Sequence, residues 1–221
     1  MKPSIFVATP NLGEISTDVV FTVLPWIMSG KYQIFWSAPQ HYRPGDRARN
    51  ICHKLFLESG YEYLFFLDER VVPPMDTLDR LLAADRPIIG AAAQMLKHEN
   101  GRPLLLPVAM DWYPEDNGYK PQKGKLKGIR KVDVVTCACT LIKREVMEAV
   151  GPRAFAQPHG DEWGTTGQSC EFYFCDRVRE KGYEIFVDYD ILCDHYVRAG
   201  LKSVNALMNE AHGDGANGSL V

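Results

Sequence analysis

Asp68 directly follows the run Leu64-Phe65-Phe66-Leu67, and here the sequence speaks most clearly about chemistry. An apolar, aromatic run of this kind reads as a buried central strand, and open α/β sheets bind ligands beyond the carboxyl ends of such strands. A carboxylate at that place offers hard oxygens suited to Mg2+ or Mn2+. Two further residues stand at comparable ends of elements. Glu171 follows Ser169, a suitable N-cap, so it falls in the first turn of a helix. The helix dipole there favours the ionised form that a general base requires. His195 closes the strand-like stretch from Ile191, and its imidazole suits Mn2+ better than Mg2+. A metal ligand, a base and a second ligand are therefore available. Each has a plainer alternative: Asp68 as a turn-forming cap, Glu171 as a helix-start residue, His195 as a satisfied core histidine.

The residues next to Asp68 extend this reading. Strand alternation would turn Asp68 and Arg70 to one side and Glu69 away. Arg70 could then meet a phosphate oxygen directly. Arg47, Arg49 and Asn50 open a helical pattern after the turn formers Pro44, Gly45 and Asp46. A helix N-terminus with added guanidinium groups is a natural neighbour of phosphate, against the alternative of solvated surface charge. The segment from Tyr119 to Lys131 carries Lys120, Lys123, Lys125, Lys127, Arg130 and Lys131. It reads as a solvated loop, or as a surface that steers an acidic acceptor. Trp112, Tyr113, Trp163 and the glycines around 160–167 could wall an acceptor site, or simply pack.

These residues need a frame, and length and composition supply one. At 221 residues and 46% hydrophobic, the chain can bury the core of one α/β domain, expected over 1–211. A net charge of −3 provides no global field for nucleic acid. The N-terminus reads as a first strand rather than a signal peptide, and no window approaches the roughly 18 apolar residues of a membrane span. A cytoplasmic protein is expected. The 6 cysteines show no CxxC pair and read as buried, reduced thiols.

Strand and helix patterns alternate through most of the chain. Strands are expected at 4–9, 32–37, 61–68 and 87–92, and helices at 14–29, 46–59 (stopped by Gly60) and 75–84. Such alternation implies right-handed βαβ units and a mostly parallel sheet flanked by helices. Beyond Ala93 the strands at 103–110 and 131–142 predict a mixed C-terminal half, and the Gly-rich segment 212–221 a disordered tail.

Four segments, in order, resemble the GT-A glycosyltransferases, particularly their compact family-2-like members. They are RARN at 47–50, FFLDER at 65–70, VDVVTCACTLIKREVMEAVG at 132–151 and CEFYFCDRVREKGYEIFVDYDILCDH at 170–195. The last is the most specific, and the likeness spans about residues 4–198. The resemblance implies a Rossmann-like GT-A fold and transfer of a sugar from a nucleoside-diphosphate donor, expected to be UDP-linked, with inversion. It implies donor contacts from Thr9, Pro10, Arg49, Asn50 and Asp68, with Arg47 beside them, and a divalent metal on Asp68 and His195. Glu171 aligns with the catalytic base. The chain departs from the family twice: the usual Asp-x-Asp is Asp68-Glu69-Arg70, and the usual Glu-Asp pair is Cys170-Glu171. The acceptor is open among glycan, protein, lipid-linked sugar and modified nucleic acid. Two other readings stand beside transfer. One is a domain that binds sugar nucleotide or glycan without turnover. The other is a nucleotidyltransferase, although TPNLGEIS after the first strand lacks the Gly-rich, Lys-bearing phosphate loop that class would want.

Overall fold

The computed structural model describes residues 2–99, 102–107, 109–122, 126–160, 162 and 167–196. Expectations for Lys123, Lys125, Trp163 and the segment 212–221 lie outside the described residues. The chain begins β1 (Ser4–Ala8), α1 (Thr17–Met28), β2 (Gln33–Ser37), α2 (Gly45–Ser59), β3 (Tyr63–Leu67), β4 (Val71–Val72), α3 (Thr77–Ala83) and β5 (Ile88–Ala92). The hairpin β6 (Gln94–Glu99) and β7 (Arg102–Pro107) follows, then β8 (Ala109–Tyr113), β9 (Gly118–Pro121), β10 (Ile129–Val132) and β11 (Val134–Val135). The remainder is β12 (Cys139–Lys143), α4 (Arg144–Val150), α5 (Cys170–Glu180), β13 (Ile185–Leu192) and β14 (Asp194–His195).

Seven strands form the central sheet in the order β10-β13-β5-β12-β3-β1-β2. The strands β1, β2 and β3 run parallel, and β5 and β13 run parallel to each other. Only β12, between β3 and β5, and β10 at the edge run the other way. The expected α/β architecture, mostly parallel and mixed in the second half, is present. Strand alternation distributes the apolar side chains to two cores. Phe6, Leu64 and Phe66 meet Phe56 of α2, Met147 of α4 and Phe174 of α5 on one face. Ile5, Val7, Phe65 and Leu67 meet Val19, Val23 and Trp26 of α1 and Leu78 of α3 on the other.

Because β12 is antiparallel, its first residues lie at the same edge of the sheet as the last residues of β3. The Asp68 N–H donates to Ala138 O at 2.9 Å and Cys139 is in register with Leu67. The long strand expected over 131–142 is instead three strands. Asp133 breaks the run, with its N–H donating to Met110 O (3.0 Å), so Val134 and Val135 join the small sheet with β8. The strand expected at 103–110 divides in the same way into β7 and β8. Gly60 stops α2 as expected, with φ of 76°.

One close approach in the core explains a glycine in the middle of β5. A Cβ placed on Gly90 would lie 2.5 Å from Val135 Cγ2 and 2.9 Å from Thr140 Oγ1. Thr140 is held by its own bond to Thr136 O at 2.7 Å, so it has little room to yield. Gly90→Ala should therefore lower the unfolding free energy by about 1–3 kcal/mol through overpacking, measured by urea denaturation. An unchanged midpoint would mean that Val135 and Thr140 yield to the added methyl group.

Candidate functional site

The site forms where the carboxyl ends of β1 and β3 meet the N-termini of α2 and α5. At its centre is Arg49, on the second turn of α2. Its Nη2 donates to Glu171 Oε1 at 3.0 Å and lies 3.9 Å from Asp68 Oδ1. Its Nη1 approaches Cys170 Sγ at 3.8 Å, and its buried Nε has no hydrogen-bond partner among the described residues. Burial alone would lower the pKa of such a group, but Glu171, Cys137, Asp68 and Cys170 together hold it well above the ordinary range. Arg49 is charged under all conditions.

Glu171 stands in the first turn of α5. Ser169 occupies the N-cap position with extended backbone, but its hydroxyl makes no capping bond among the described residues. The carboxylate is anchored differently: Oε1 accepts both from Arg49 and from the Cys137 N–H at 2.9 Å. Among the described residues nothing donates to Oε2. The carboxylate is thus held through one oxygen alone among the described residues.

Asp68 is enclosed at the floor of a cleft, with 29% of its side chain reaching the opening. No described hydrogen bond reaches its carboxylate. Burial pushes its pKa up to about 7; Arg49 and, less strongly, Arg70 oppose the rise, and Glu171 and Glu69 add to it. The cleft has a volume of about 330 Å3, and its wall includes Pro10, Asn11, Tyr42, Arg43, Arg49 and Glu69. A second cleft of about 460 Å3, bounded by Glu14, Ile15, Ser16, Arg70 and Tyr196, adjoins it. Leu12 and Glu69 belong to both.

The other expected site residues are spread around this pair of clefts. Thr9 is fully buried beneath the first cleft, its hydroxyl accepting from Trp36 Nε1 at 3.0 Å, while Pro10 lines the wall. Arg70 and Asp68 line different clefts, although Arg70 is near enough for its charge to act on Asp68. The strand ends at Leu67, so alternation stops there, and Arg70 faces the second cleft, paired with Glu69 at 3.2 Å. Glu69, expected to turn away, lines both clefts.

Arg47 is exposed and stands over the Tyr42 ring, 5.5 Å from its centroid, rather than in the cleft wall. Asn50 is committed elsewhere: its amide donates to Phe155 O (2.6 Å) and accepts from Phe155 N (3.1 Å), tying α2 to the segment before α5. His195 pairs with Val71, just past the Asp68 turn, and its Nδ1 contacts Gln94 O at 2.8 Å. A carbonyl can only accept, so Nδ1 donates this bond. Among the described residues no group of 3 or more His, Cys, Asp or Glu side chains could hold a metal by itself. The cysteines are free thiols, five of them buried.

Some site residues carried no signal in the sequence. The Cys137 N–H is main chain, and no residue type announces it. Tyr42 and Arg43 precede the turn formers Pro44 and Gly45, and that position before a helix start could have marked them. Asn11 is legible only in three dimensions. It is buried, and its side chain bonds Thr9 O (3.2 Å) and Gly13 N (2.9 Å) to shape the loop after β1.

No protein-family model matches the chain, and no curated protein matches it by sequence. Solved structures do. The crystal structure of A197 from STIV has a TM-score of 0.53 at 16% identity, over 89% of this chain and 86% of that one. GalNAc-T7, solved with UDP, GalNAc and Mn2+, also has a TM-score of 0.53, at 11% identity over 94% of this chain and 48% of that one. The fold is GT-A. This chain spans about half the length of the GalNAc-T7 chain, and identities this low speak for the backbone arrangement alone. No helix among the described residues is long and apolar enough to cross a membrane.

Asp68 yields a test of this geometry that needs no ligand. Its pKa is raised on folding, so stability from the neutral form is complete at low pH and is lost as pH rises through about 7. Asp68→Asn removes that loss. The melting temperature of Asp68→Asn relative to the native chain should therefore climb between about pH 4 and pH 7 and level off above. A pH-independent difference would place the carboxyl in water instead of at an enclosed floor.

Proposed function

We propose that this chain transfers a sugar from a nucleoside-diphosphate donor, UDP-linked, to an acceptor hydroxyl, with inversion at the anomeric carbon. The carrying observation is the meeting of Asp68, Arg49 and Glu171 at the ligand-binding edge of a GT-A sheet. Support from outside this chain is that GalNAc-T7, which shares the fold, was solved with UDP, GalNAc and Mn2+. The likeness to family-2 members suggests the compact architecture.

A divalent cation fits the chemistry of the residues. Asp68 is an enclosed carboxylate that lacks a described donor, and no hydrogen bond among the described residues engages Nε2 of His195 on β14, which pairs with β4. Two protein ligands are few, and donor oxygens with water would complete the six positions that Mg2+ and Mn2+ favour. Bound there, Mn2+ or Mg2+ would neutralise charge on the departing diphosphate.

Arg49 supplies the second cation. It is preorganised by Glu171 and buried where a guanidinium interacts strongly with phosphate oxygens, and it takes the role expected of Arg70. Arg70, held by Glu69, belongs to the adjoining cleft and contacts the transferred group or the acceptor. The acceptor hydroxyl attacks the anomeric carbon, the bond from that carbon to the diphosphate oxygen breaks, and the proton passes to Glu171 Oε2. Thr9 shapes the loop through Trp36, and Pro10 and Asn11 present it to the nucleoside. Asn50 acts at a remove, by holding α2 against Phe155. The acceptor is a glycan, protein, lipid-linked sugar or modified nucleic acid.

Two interventions separate transfer from binding without turnover. Glu171→Gln keeps the anchoring bonds but cannot take the proton. UDP release from UDP-sugars should fall by about 10²–10⁴-fold, while UDP affinity changes little. Excess chelator should abolish the rise in melting temperature that UDP-sugar gives with Mn2+, and added Mn2+ should restore it. Near-normal release from Glu171→Gln would return Glu171 to a helix-start role, and undiminished activity in chelator would remove the metal.

A further inference from the structure

The lining of the cleft above Asp68 combines two kinds of group. One is the Arg49 guanidinium, whose buried Nε has no partner among the described residues. The other is Tyr42, with 36% of its surface exposed. One face of the Tyr42 ring is taken by the Arg47 guanidinium, 5.5 Å from its centroid. A cation behind an aromatic ring does not hinder stacking in front of it.

The mounting of Tyr42 is firm for a loop residue. Asn11 N donates to Pro39 O and His41 N donates to Asn11 O, both at 3.0 Å, which ties the segment before Tyr42 to the loop after β1. The His41 ring packs against Gly13, where φ is 109° and a Cβ would lie 2.5 Å from His41 Cε1. On the far side, Arg47 N bonds Pro44 O at 3.1 Å. A rigid aromatic platform costs little entropy when a ligand arrives.

A ligand matching both groups carries a planar ring and clustered negative charge. We infer that Tyr42, backed by Arg47, is the stacking platform for the nucleobase of a nucleoside diphosphate whose phosphates lie toward Arg49. This rests on the donor reading above and sharpens it. Arg47 becomes a positioning residue for Tyr42 instead of a phosphate contact. A nucleobase of any kind has a face to stack, so the platform supplies affinity for nucleosides as a class, and edge contacts must choose among them.

Calorimetric titration with UDP, GDP and inorganic pyrophosphate, in saturating Mn2+, separates the parts. Tyr42→Ala should weaken nucleoside diphosphates by about 5–100-fold and leave pyrophosphate within about two-fold. Tyr42→Phe should bind as the native chain does. Arg47→Ala should weaken UDP by a few-fold without changing pyrophosphate, whereas Arg49→Lys should weaken both. Melting temperatures check that each variant is folded. The inference is overturned if Tyr42→Ala binds UDP normally, or if Arg47→Ala loses pyrophosphate as strongly as UDP. It also falls if the native chain binds pyrophosphate no less tightly than nucleotides. If the native chain binds none of the three, the donor reading falls with it.

Discussion

The site depends on one buried positive charge. Taking a guanidinium out of water costs several kcal/mol, and it is tolerable only where anions and hydrogen-bond acceptors surround it. Three separate elements meet at Arg49. Glu171 arrives on α5, Asp68 on the turn after β3, and Arg49 itself on α2. Each element is packed in place by apolar side chains, but their mutual register is checked by the ion pairs. The pairing is deliberately uneven in effect: Glu171 gives a close contact at 3.0 Å, while Asp68 stays at 3.9 Å. Asp68 thus remains a poorly compensated carboxylate, the condition under which a carboxylate attracts either a proton or a metal cation.

The sheet makes this meeting possible through one reversed strand. Parallel strands deliver only their carboxyl ends to the ligand edge. With β12 inserted antiparallel between β3 and β5, an amino end arrives there too and brings the 136–138 link alongside Asp68. The Cys137 N–H is therefore available to Glu171. Gly90 on β5 lets Val135 and Thr140 close over that junction, so the packing of a small residue in the core bears on where a backbone donor points.

Much of this was legible in the sequence because it follows from periodicity and from strand ends. The runs in β1, β3 and β5, the stop at Gly60 and the positions of Asp68 and Glu171 all follow from local patterns. What was not legible depends on strand continuity and on contacts distant in sequence. Alternation predicted Arg70 beside Asp68, but it holds only while the chain stays extended, and β3 ends at Leu67. The run at 131–142 looked continuous because Val132, Val134 and Val135 are all buried, though their neighbours belong to different sheets. Asn50 carried the right type for a ligand contact, and only the fold reveals that Phe155 consumes both ends of its amide.

The hydrogen bond from Cys137 to Glu171 has a consequence for how this site can change over time. Its donor is a peptide N–H, which every amino acid except proline possesses. Substitutions at 137 are thus filtered by volume and polarity in a crowded interior, not by any demand of the chemistry. Lineages can drift at that position while the carboxylate stays anchored. An insertion or deletion between β11 and β12 would be another matter, since it would move the donor without altering a single side chain in the cleft. Comparisons among descendants of this chain should therefore find the spacing from Val135 to Cys139 guarded more closely than the residues that fill it.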